Sequence, residues 1–374
     1  MPTIPKSMLR LITLCSGMAG FSSAQAELGL NFPPPAAQVA QDIYDIHMLT
    51  MQIATVLLVI VFAFVFYSIY YHRKSRGYQA DQNFHKTWFG NWSWVIVPTL
   101  VLGVDLTIAN NANTVLKTVW EVPKEEKLMD LKVIGHQWWW EFEYIDHGIT
   151  VESRYVPKEE SGDLYLREVD NRLVLPTDTK IRFLHTSADV NHAFWVPELA
   201  FKKDAIAGYI TETWAEINRE GVFRGQCAEL CGTWHSRMPL VVESVSPEKF
   251  AQWVGGKQQE KAAAAAEAAA DKVWSSEDLM AKGQSLYETK CAACHQVTGL
   301  GLPPAFPPIK DSPIATGAIA DHVKIVIQGK QGTAMQAWGS LNDLEIAAIV
   351  TYERNAWGND TGDVVQPSDI KQAR

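Results

Sequence analysis

The fold and chemistry of this chain are decided by the stretch Cys227-Ala228-Glu229-Leu230-Cys231-Gly232-Thr233-Trp234-His235-Ser236-Arg237-Met238. It holds two thiols, an imidazole and a thioether, and a further imidazole, His192, lies upstream. Thiolate and thioether sulfur are soft ligands, so the set favours copper. A mononuclear blue copper site needs one thiolate, and the second one therefore indicates either zinc or two coppers bridged by both sulfurs. Met238 argues against zinc, which prefers nitrogen and thiolate sulfur.

A disulfide is the structural alternative for Cys227 and Cys231, because close cysteine pairs in exported proteins are often oxidised. A disulfide would leave His192, His235 and Met238 converging without a role. We therefore favour a metal site.

A second motif, Cys291-Ala292-Ala293-Cys294-His295, has the spacing that attaches a c-type haem through two thioethers, with His295 as an iron ligand. Zinc would need two more ligands, and the other histidine of this region is His322. Met280 and Met335 are the candidates for the sixth iron ligand. We predict Met335, which lies in a loop before the last helical pattern, and a thioether there would raise the potential and close the iron to small ligands.

The N-terminus has the pattern of a secretion signal: Lys6, the apolar run 11–21, and Ala24-Gln25-Ala26 before Glu27. We expect the mature chain to begin near Glu27. A lipoprotein signal at Cys15 is the alternative, but leucine precedes this cysteine where a small residue is expected.

Two apolar stretches follow. Thr50 to Tyr71 has about the length that a helix needs to cross a bilayer of roughly 30 Å. Trp92 to Ala109 contains Pro98 and Asp105, which fits a helix packed against other protein. The basic loop between the two stretches predicts a cytoplasmic location for that loop, with everything after residue 109 outside.

Period-two patterns between Leu128 and Trp253 predict a β sandwich or barrel. Its clearest strand patterns are Leu131-Lys132-Val133-Ile134, Arg172-Leu173-Val174-Leu175, Lys180-Ile181-Arg182-Phe183-Leu184 and Leu240-Val241-Val242-Glu243. An Ala-rich run to Asp271 then predicts a helical or semi-rigid spacer that buries little.

Helix-start signals follow the spacer at Ser275/Ser276 with Glu277 and Asp278, and again at Asn342 with Glu345. They predict a small helical domain. The net charge of −9 argues against nucleic acid as the main partner and suits a basic one. Fourteen Trp residues indicate a packed β core, a membrane interface or a docking surface.

The chain resembles subunit II of the haem-copper cytochrome c oxidases, in the variety with a cytochrome c domain fused to its C-terminus. The resemblance covers nearly the whole mature chain. Besides the paired apolar helices it rests on Gly135-His136-Gln137-Trp138-Trp139-Trp140, Glu168-Val169-Asp170-Asn171-Arg172 and Gly225 through Pro239.

The resemblance implies a cupredoxin barrel with a dinuclear copper A centre. Its ligands would be His192, Cys227, Cys231, His235, Met238 and the backbone carbonyl of Glu229. The carboxylate of Glu229 would also reach a magnesium ion shared with subunit I. Trp138 matches the tryptophan through which electrons enter from a docked donor; ordinary aromatic packing is its alternative role.

The resemblance further implies a path from a soluble or membrane-bound cytochrome c, through the haem c and the copper, to subunit I, where oxygen is reduced to water and protons are pumped. This subunit would perform no bond-breaking chemistry by itself. Subunits I and III would be its membrane partners, in the inner membrane of a bacterium, with the cupredoxin and the class I-like cytochrome c domain in the periplasm.

One position departs from the family. Many members carry a glutamate seven residues before the proline of the second helix, where it helps proton entry into subunit I, and here Asn91 stands there. That role is therefore not carried over. Asp105 lies deeper, where a buried hydrogen bond to a neighbouring helix is expected.

Rival functions fit the sequence less well. A nitrous oxide reductase would need a propeller domain, and nitric oxide reductase components normally lack the copper motif. A non-redox subunit II of a quinol oxidase is opposed by the intact ligand set and the haem motif.

The predicted boundaries are a signal peptide at 1–26, a periplasmic N-terminal segment at 27–48, transmembrane helices at 49–71 and 92–109 around a cytoplasmic loop at 72–91, a connecting segment at 110–127, a cupredoxin domain at 128–253, an Ala-rich linker at 254–274, a cytochrome c domain at 275–360 and a tail at 361–374.

Overall fold

Two long apolar helices come first, α1 at Gln38–Tyr71 and α2 at Trp88–Trp120. The computed structural model describes residues 31–124, 127–268, 272–304 and 306–374, so the predicted signal peptide and Cys15 lie outside the described residues. The most apolar windows of the two helices have mean hydropathies of 2.6 and 1.6, and no residue inside either window is buried within this chain. By length and composition both helices can cross a membrane.

Both helices extend beyond the apolar stretches that mark them in the sequence. Helix α1 begins at Gln38 rather than at residue 49, and Val39 and Ala40 in its first turn are buried. Helix α2 continues to Trp120, and near its end the carbonyl of Thr118 accepts a hydrogen bond of 2.9 Å from Nε1 of Trp214 in the β domain. Hydropathy marks the apolar part of each helix, whereas contacts with the β domain define the extra turns.

Ten strands follow, and the predicted period-two segments all form strands. In Lys180–Ser187 alternate residues are buried, beginning with Ile181. The strands are β1 Met129–His136, β2 Trp139–Tyr144, β3 Ile149–Ser153, β4 Leu173–Pro176, β5 Lys180–Ser187, β6 His192–Val196, β7 Phe201–Ala205, β8 Thr211–Glu216, β9 Gly221–Gln226 and β10 Pro239–Val245.

The strands form sheets of five, three and two strands. The largest has the order β3-β2-β1-β5-β8, with β1 and β5 parallel and Leu131 opposite Phe183. In the three-stranded sheet, β10 lies between β4 and β9 and pairs antiparallel with β9, with Gln226 opposite Pro239. The β6–β7 pair starts at His192. Both β6 and the β9–β10 connection carry predicted metal ligands.

Eight further helices complete the described chain: α3 Lys158–Ser161, α4 Pro247–Ala268, α5 Ser276–Lys290, α6 Ala292–His295, α7 Pro313–Thr316, α8 Ile319–Gln328, α9 Asp343–Asn355 and α10 Pro367–Ala373. Helix α4 covers residues 254–268 of the predicted linker. Phe250 and Val254 are buried at its start, whereas its alanine run is exposed.

The helix-start signals of the last domain are confirmed. Ser275 caps α5 by accepting a hydrogen bond of 3.1 Å from the amide of Asp278. Asn342 and Glu345 form a capping box at the start of α9. Helix α10 lies in the segment predicted as a tail, and its Ile370 is fully buried because α10 packs on α9.

The chain divides into two compact units. The first holds the described residues up to Phe142 together with Glu152–Cys231 and His235–Ser246. The second holds Glu143–Val151, Gly232–Trp234 and Pro247–Arg374.

The crossing of α5 and α9 depends on Gly283. A Cβ added to Gly283 would lie 2.1 Å from the carbonyl oxygen of Ala348, whereas one added to Gly256 in α4 would meet nothing within 4 Å. We expect Gly283→Ala to cost about 1–3 kcal/mol, because the helices must move apart. Gly256→Ala should instead stabilise its helix by up to about 1 kcal/mol. Denaturant unfolding of the full chain, followed by circular dichroism, measures both, and equal effects would contradict the close crossing.

Candidate metal centres

The loop between β9 and β10 brings the sulfur ligands together. Its two ends are joined by a hydrogen bond of 3.0 Å from the amide of Cys227 to the carbonyl of Met238. Cys227 and Cys231 are each 2% exposed, and their Sγ atoms lie 3.8 Å apart. A disulfide would need a separation of about 2 Å, so both thiols are free in the structure.

Each thiol has an imidazole beside it. Nδ1 of His192 lies 3.9 Å from Sγ of Cys227, and Nδ1 of His235 lies 3.5 Å from Sγ of Cys231. Ligand atoms of His192, Cys227 and Cys231 all lie within 4.8 Å of one another. The thioether sulfur of Met238 lies 4.0 Å from Sγ of Cys231. Two thiols, two imidazoles and a thioether together make a soft donor set that fits copper.

Glu229 contributes its backbone rather than its side chain to this cluster. Its carbonyl oxygen accepts a hydrogen bond of 3.3 Å from Sγ of Cys227. The residue itself is exposed. The carbonyl therefore faces the sulfur cluster, and the carboxylate is available to a group outside this chain.

Asp189 orients His192, a role that the sequence motifs did not predict. Its carboxylate lies 2.8 Å from Nε2 of His192 and accepts a hydrogen bond of 2.7 Å from the amide of Gln137. Because Nε2 is engaged, Nδ1 is the nitrogen presented to Cys227. The sequence feature that could have indicated this role is a carboxylate three residues before a proposed histidine ligand. Gly135 leaves room for the ring, since a Cβ there would lie 2.6 Å from Cδ2 of His192.

Trp138 is joined to the sulfur loop. Its side chain is almost buried, and its Nε1 donates a hydrogen bond of 3.1 Å to the carbonyl of Cys231. Nε2 of Gln137 donates to the same carbonyl at 2.8 Å. Trp140 packs edge-on to His192, with ring centroids 5.9 Å apart. These aromatic side chains exclude water from one side of the cluster.

The electrostatics of the cluster favour ionisation of one thiol. The hydrogen bond from Cys231 lowers the pKa of Cys227, and the same interaction raises the pKa of Cys231. Burial lowers the pKa of His192, but its hydrogen bonds to Asp189 and Cys227 outweigh burial and raise it. A bound cation would further favour the thiolate form of both cysteines.

The haem motif folds as the turn α6. Cys291 and Cys294 are half-buried and not paired in a disulfide. Nδ1 of His295 lies 2.9 Å from the carbonyl of Pro307, so it donates to that carbonyl and leaves Nε2 for a metal. Leu300 and Leu302, in the segment after the motif, are 52% and 39% exposed, which fits an apolar group bound there.

The two candidate methionines have different surroundings. Met280 packs against the core cluster of Tyr287, Tyr352 and Ala356. Met335 is half-buried in a loop closed by a hydrogen bond of 2.9 Å from the amide of Lys330 to the Met335 carbonyl. Met280 is thus used in core packing, and Met335 lies in a loop between helices.

Three family models cover most of the chain. The model of the periplasmic domain of cytochrome c oxidase subunit II matches residues 129–245, and the model of its transmembrane domain matches residues 25–110. A model described as cytochrome c oxidase, cbb3-type, subunit III matches residues 278–352. Cytochrome c oxidase subunit 2 of Sympetrum striolatum is 38% identical, over 60% of this chain and 95% of the relative. The chain belongs to the cytochrome c oxidase subunit II family.

Other members of this family are also similar to the chain. The probable cytochrome c oxidase subunit 2 of Rickettsia bellii is 34% identical, over 64% of this chain and 88% of the relative. The crystal structure of the periplasmic domain of subunit II of cytochrome oxidase of Bradyrhizobium japonicum is 37% identical, with a TM-score of 0.35, and covers 37% of this chain and 99% of that one.

The resemblance predicted from the motifs is confirmed. This member of the subunit II family has two apolar N-terminal helices, a cupredoxin-like β domain and a C-terminal helical cytochrome c domain. It is a subunit of a respiratory oxidoreductase, and its family implies a partnership with subunit I. The family implies copper in the β domain, and the cytochrome c domain implies haem.

The sequence motifs did not predict one buried polar residue of the β domain, His185. His185 in β5 is fully buried, and neither of its ring nitrogens has a hydrogen-bond partner among the described residues. Its ring lies among Phe183, Phe194 and Phe201. Burial, together with the charge of Lys203, lowers its pKa to about 3. The strand alternation places this position inside, although histidine gives no signal of burial by itself.

His185 should make the β domain acid-sensitive. The pKa of His185 in the folded state lies below its value in the unfolded chain. Between about pH 6.5 and 3 the unfolded chain therefore binds one proton more than the folded chain, and the free energy of unfolding decreases as the pH is lowered. Between pH 7 and 5 the loss should be about 2 kcal/mol. His185→Leu should remove that part of the pH dependence. Calorimetry of the copper-free chain at both pH values measures this, and an unchanged pH dependence in His185→Leu would contradict it.

Proposed function

We propose that this subunit relays electrons from a cytochrome c, through a haem c of its own and a dinuclear copper A centre, to subunit I, where oxygen is reduced to water and protons are pumped. The observation that carries the proposal is the pair of buried thiols 3.8 Å apart, each beside an imidazole. A site built for zinc or for a disulfide would not need this arrangement together with a thioether.

The copper ions would be held by His192, Cys227, Cys231, His235, Met238 and the backbone carbonyl of Glu229. When bound, the two coppers and the haem iron accept and release single electrons. The protein's part is to keep the donors in place before and after each transfer. Two hydrogen bonds support that role: the backbone hydrogen bond from Cys227 to Met238 and the side-chain hydrogen bond between Asp189 and His192.

The haem would be attached through Cys291 and Cys294, with His295 and Met335 as axial ligands. The hydrogen bond from Nδ1 of His295 to Pro307 supports this assignment, because it selects the neutral imidazole and increases its basicity as a ligand. A loop position for Met335, outside the packed core, leaves its thioether available.

Trp138 is proposed as the point of entry for electrons from an external donor. The hydrogen bond from its indole to the carbonyl of Cys231 joins it to a copper ligand. An external donor could dock on the β domain. Trp138 would then provide a packed aromatic route from this donor to the sulfurs.

The proposed setting is the inner membrane of a bacterium, with α1 and α2 spanning it and both metal domains in the periplasm. Subunit I, subunit III and a soluble or membrane-bound cytochrome c would be the partners. Asp105 is exposed on α2 in this chain, and a carboxylate facing lipid would be costly, which favours a protein neighbour there. A magnesium ion shared with subunit I would take the outward carboxylate of Glu229.

Replacing Cys227 by Ser tests the copper assignment. The near-infrared copper absorption should be lost and oxidase turnover should slow, because one shared sulfur is gone, while the haem spectrum stays intact. Ser236→Ala, an exposed change in the same loop, is the matched control and should leave the copper in place. Metal analysis and optical spectra of the purified oxidase measure these effects. Unchanged copper content in Cys227→Ser would refute the ligand assignment.

Replacing Met335 by Ala tests the axial ligand. Loss of the thioether should lower the haem potential and let the reduced iron bind carbon monoxide. Met280→Ala should destabilise the domain through its core contacts but leave the iron closed. Carbon monoxide difference spectra distinguish the two variants, and binding in Met280→Ala with none in Met335→Ala would reverse the assignment.

A further inference from the structure

Trp234, which lies between β9 and β10, forms a ring contact with Phe306, which follows the haem motif. Within the second compact unit, which includes Gly232–Trp234 and Pro247–Arg374, the rings of Trp234 and Phe306 lie 5.5 Å apart between centroids, at an interplanar angle of 34°. These values are typical of packed aromatic pairs. Phe306 is 6% exposed.

The haem-side partner of this pair is held next to the axial histidine. Phe306 precedes Pro307, whose carbonyl lies 2.9 Å from Nδ1 of His295. Its own amide and carbonyl pair with the carbonyl and amide of Leu302 at 3.0 and 2.8 Å, which closes the loop into a narrow turn. At Gly301 a Cβ would lie 2.3 Å from the Phe306 carbonyl oxygen, so the turn requires a glycine there. The position of the Phe306 ring is therefore set by the same loop that orients His295.

The copper-side partner lies next to one proposed ligand. Trp234 immediately precedes His235, whose Nδ1 lies 3.5 Å from Sγ of Cys231. The backbone therefore connects the indole covalently to an imidazole of the sulfur cluster.

We propose that the Trp234–Phe306 ring contact is the route by which electrons pass from the haem to the copper centre within this chain, and that it is separate from the external entry at Trp138. This inference rests on the proposed function. From His295 to His235 the route is covalent except at two places, the hydrogen bond to Pro307 and the ring contact. Electron tunnelling weakens steeply across gaps and less steeply through bonds and packed atoms, so this connection couples the two centres better than open solvent does.

The step itself is a one-electron transfer. A bound haem would give up one electron and a bound copper pair would take it up, with no bond made or broken and no proton moved. The two rings are not oxidised or reduced in a stable form; they fill the gap between the two loops.

The test uses the purified oxidase carrying Phe306→Leu, Trp234→Leu or both, with Phe306→Tyr and Trp234→Phe as conservative variants and Trp195→Phe as the matched control. Trp195 is an exposed indole of the β domain outside both loops. Haem is reduced by a photoexcited ruthenium complex, and the rate of electron arrival at copper is followed optically. Midpoint potentials and spectra of both centres are recorded for each variant.

We expect each leucine variant to slow haem-to-copper transfer, the double variant to be no slower than the slower single one, and the potentials to stay unchanged. The conservative variants and Trp195→Phe should retain the rate. Unchanged transfer in Phe306→Leu would overturn the proposal, as would slowing that is explained by a shifted potential.

A second readout needs no metal. In the copper-free protein, Phe306→Leu should increase the rate of amide hydrogen exchange at Gly232–Trp234. The expected increase is roughly three- to tenfold, which corresponds to the packing free energy of one aromatic pair. Unchanged exchange there would show that the rings do not pack and would overturn the contact. Wild-type oxidase without copper or without covalent haem would instead refute the proposed function. If haem-to-copper transfer is fast in the wild type and equally fast in the Trp234→Leu and Phe306→Leu variants, this inference is refuted and the proposed function still stands.

Discussion

The structure depends on one short loop that holds two thiols apart at a fixed distance inside a β domain. A backbone hydrogen bond between Cys227 and Met238 joins the ends of the loop, where β9 pairs with β10. The Sγ atoms of Cys227 and Cys231 lie 3.8 Å apart, both cysteines are buried, and they are not paired in a disulfide. The positions of the histidines, the tryptophans and the carbonyl of Glu229 are all defined with respect to these two sulfurs.

The residues around the loop act by holding its groups rather than by reacting. Asp189 directs one nitrogen of His192 towards the sulfurs, Gly135 leaves space for that ring, and Gln137 and Trp138 bind the carbonyl of Cys231. Such rigidity would serve the proposed electron transfer, since every movement of a ligand between oxidation states slows the transfer. The same logic applies in the cytochrome c domain, where the carbonyl of Pro307 fixes the His295 ring.

Much of this architecture could be predicted from local patterns. The strands of the β domain follow from period-two alternation, the starts of α5 and α9 from capping residues, and the two N-terminal helices from apolar length. Helix limits were less predictable. Helix α1 begins at Gln38 and α10 forms at Pro367–Ala373 because of contacts with other parts of the fold, which local hydropathy does not record.

The sequence by itself determined the chemistry: two cysteines, two histidines and a methionine in a recognisable pattern, and a separate Cys-Ala-Ala-Cys-His motif, because ligand types and close spacings are local properties. The tertiary structure decided everything that depends on residues far apart in the chain. Examples are the distance between His192 and Cys227, the bond from Trp138 to Cys231 and the burial of His185. The contact between Trp234 and Phe306 belongs to the same class, since no spacing rule relates two aromatic residues so distant in sequence.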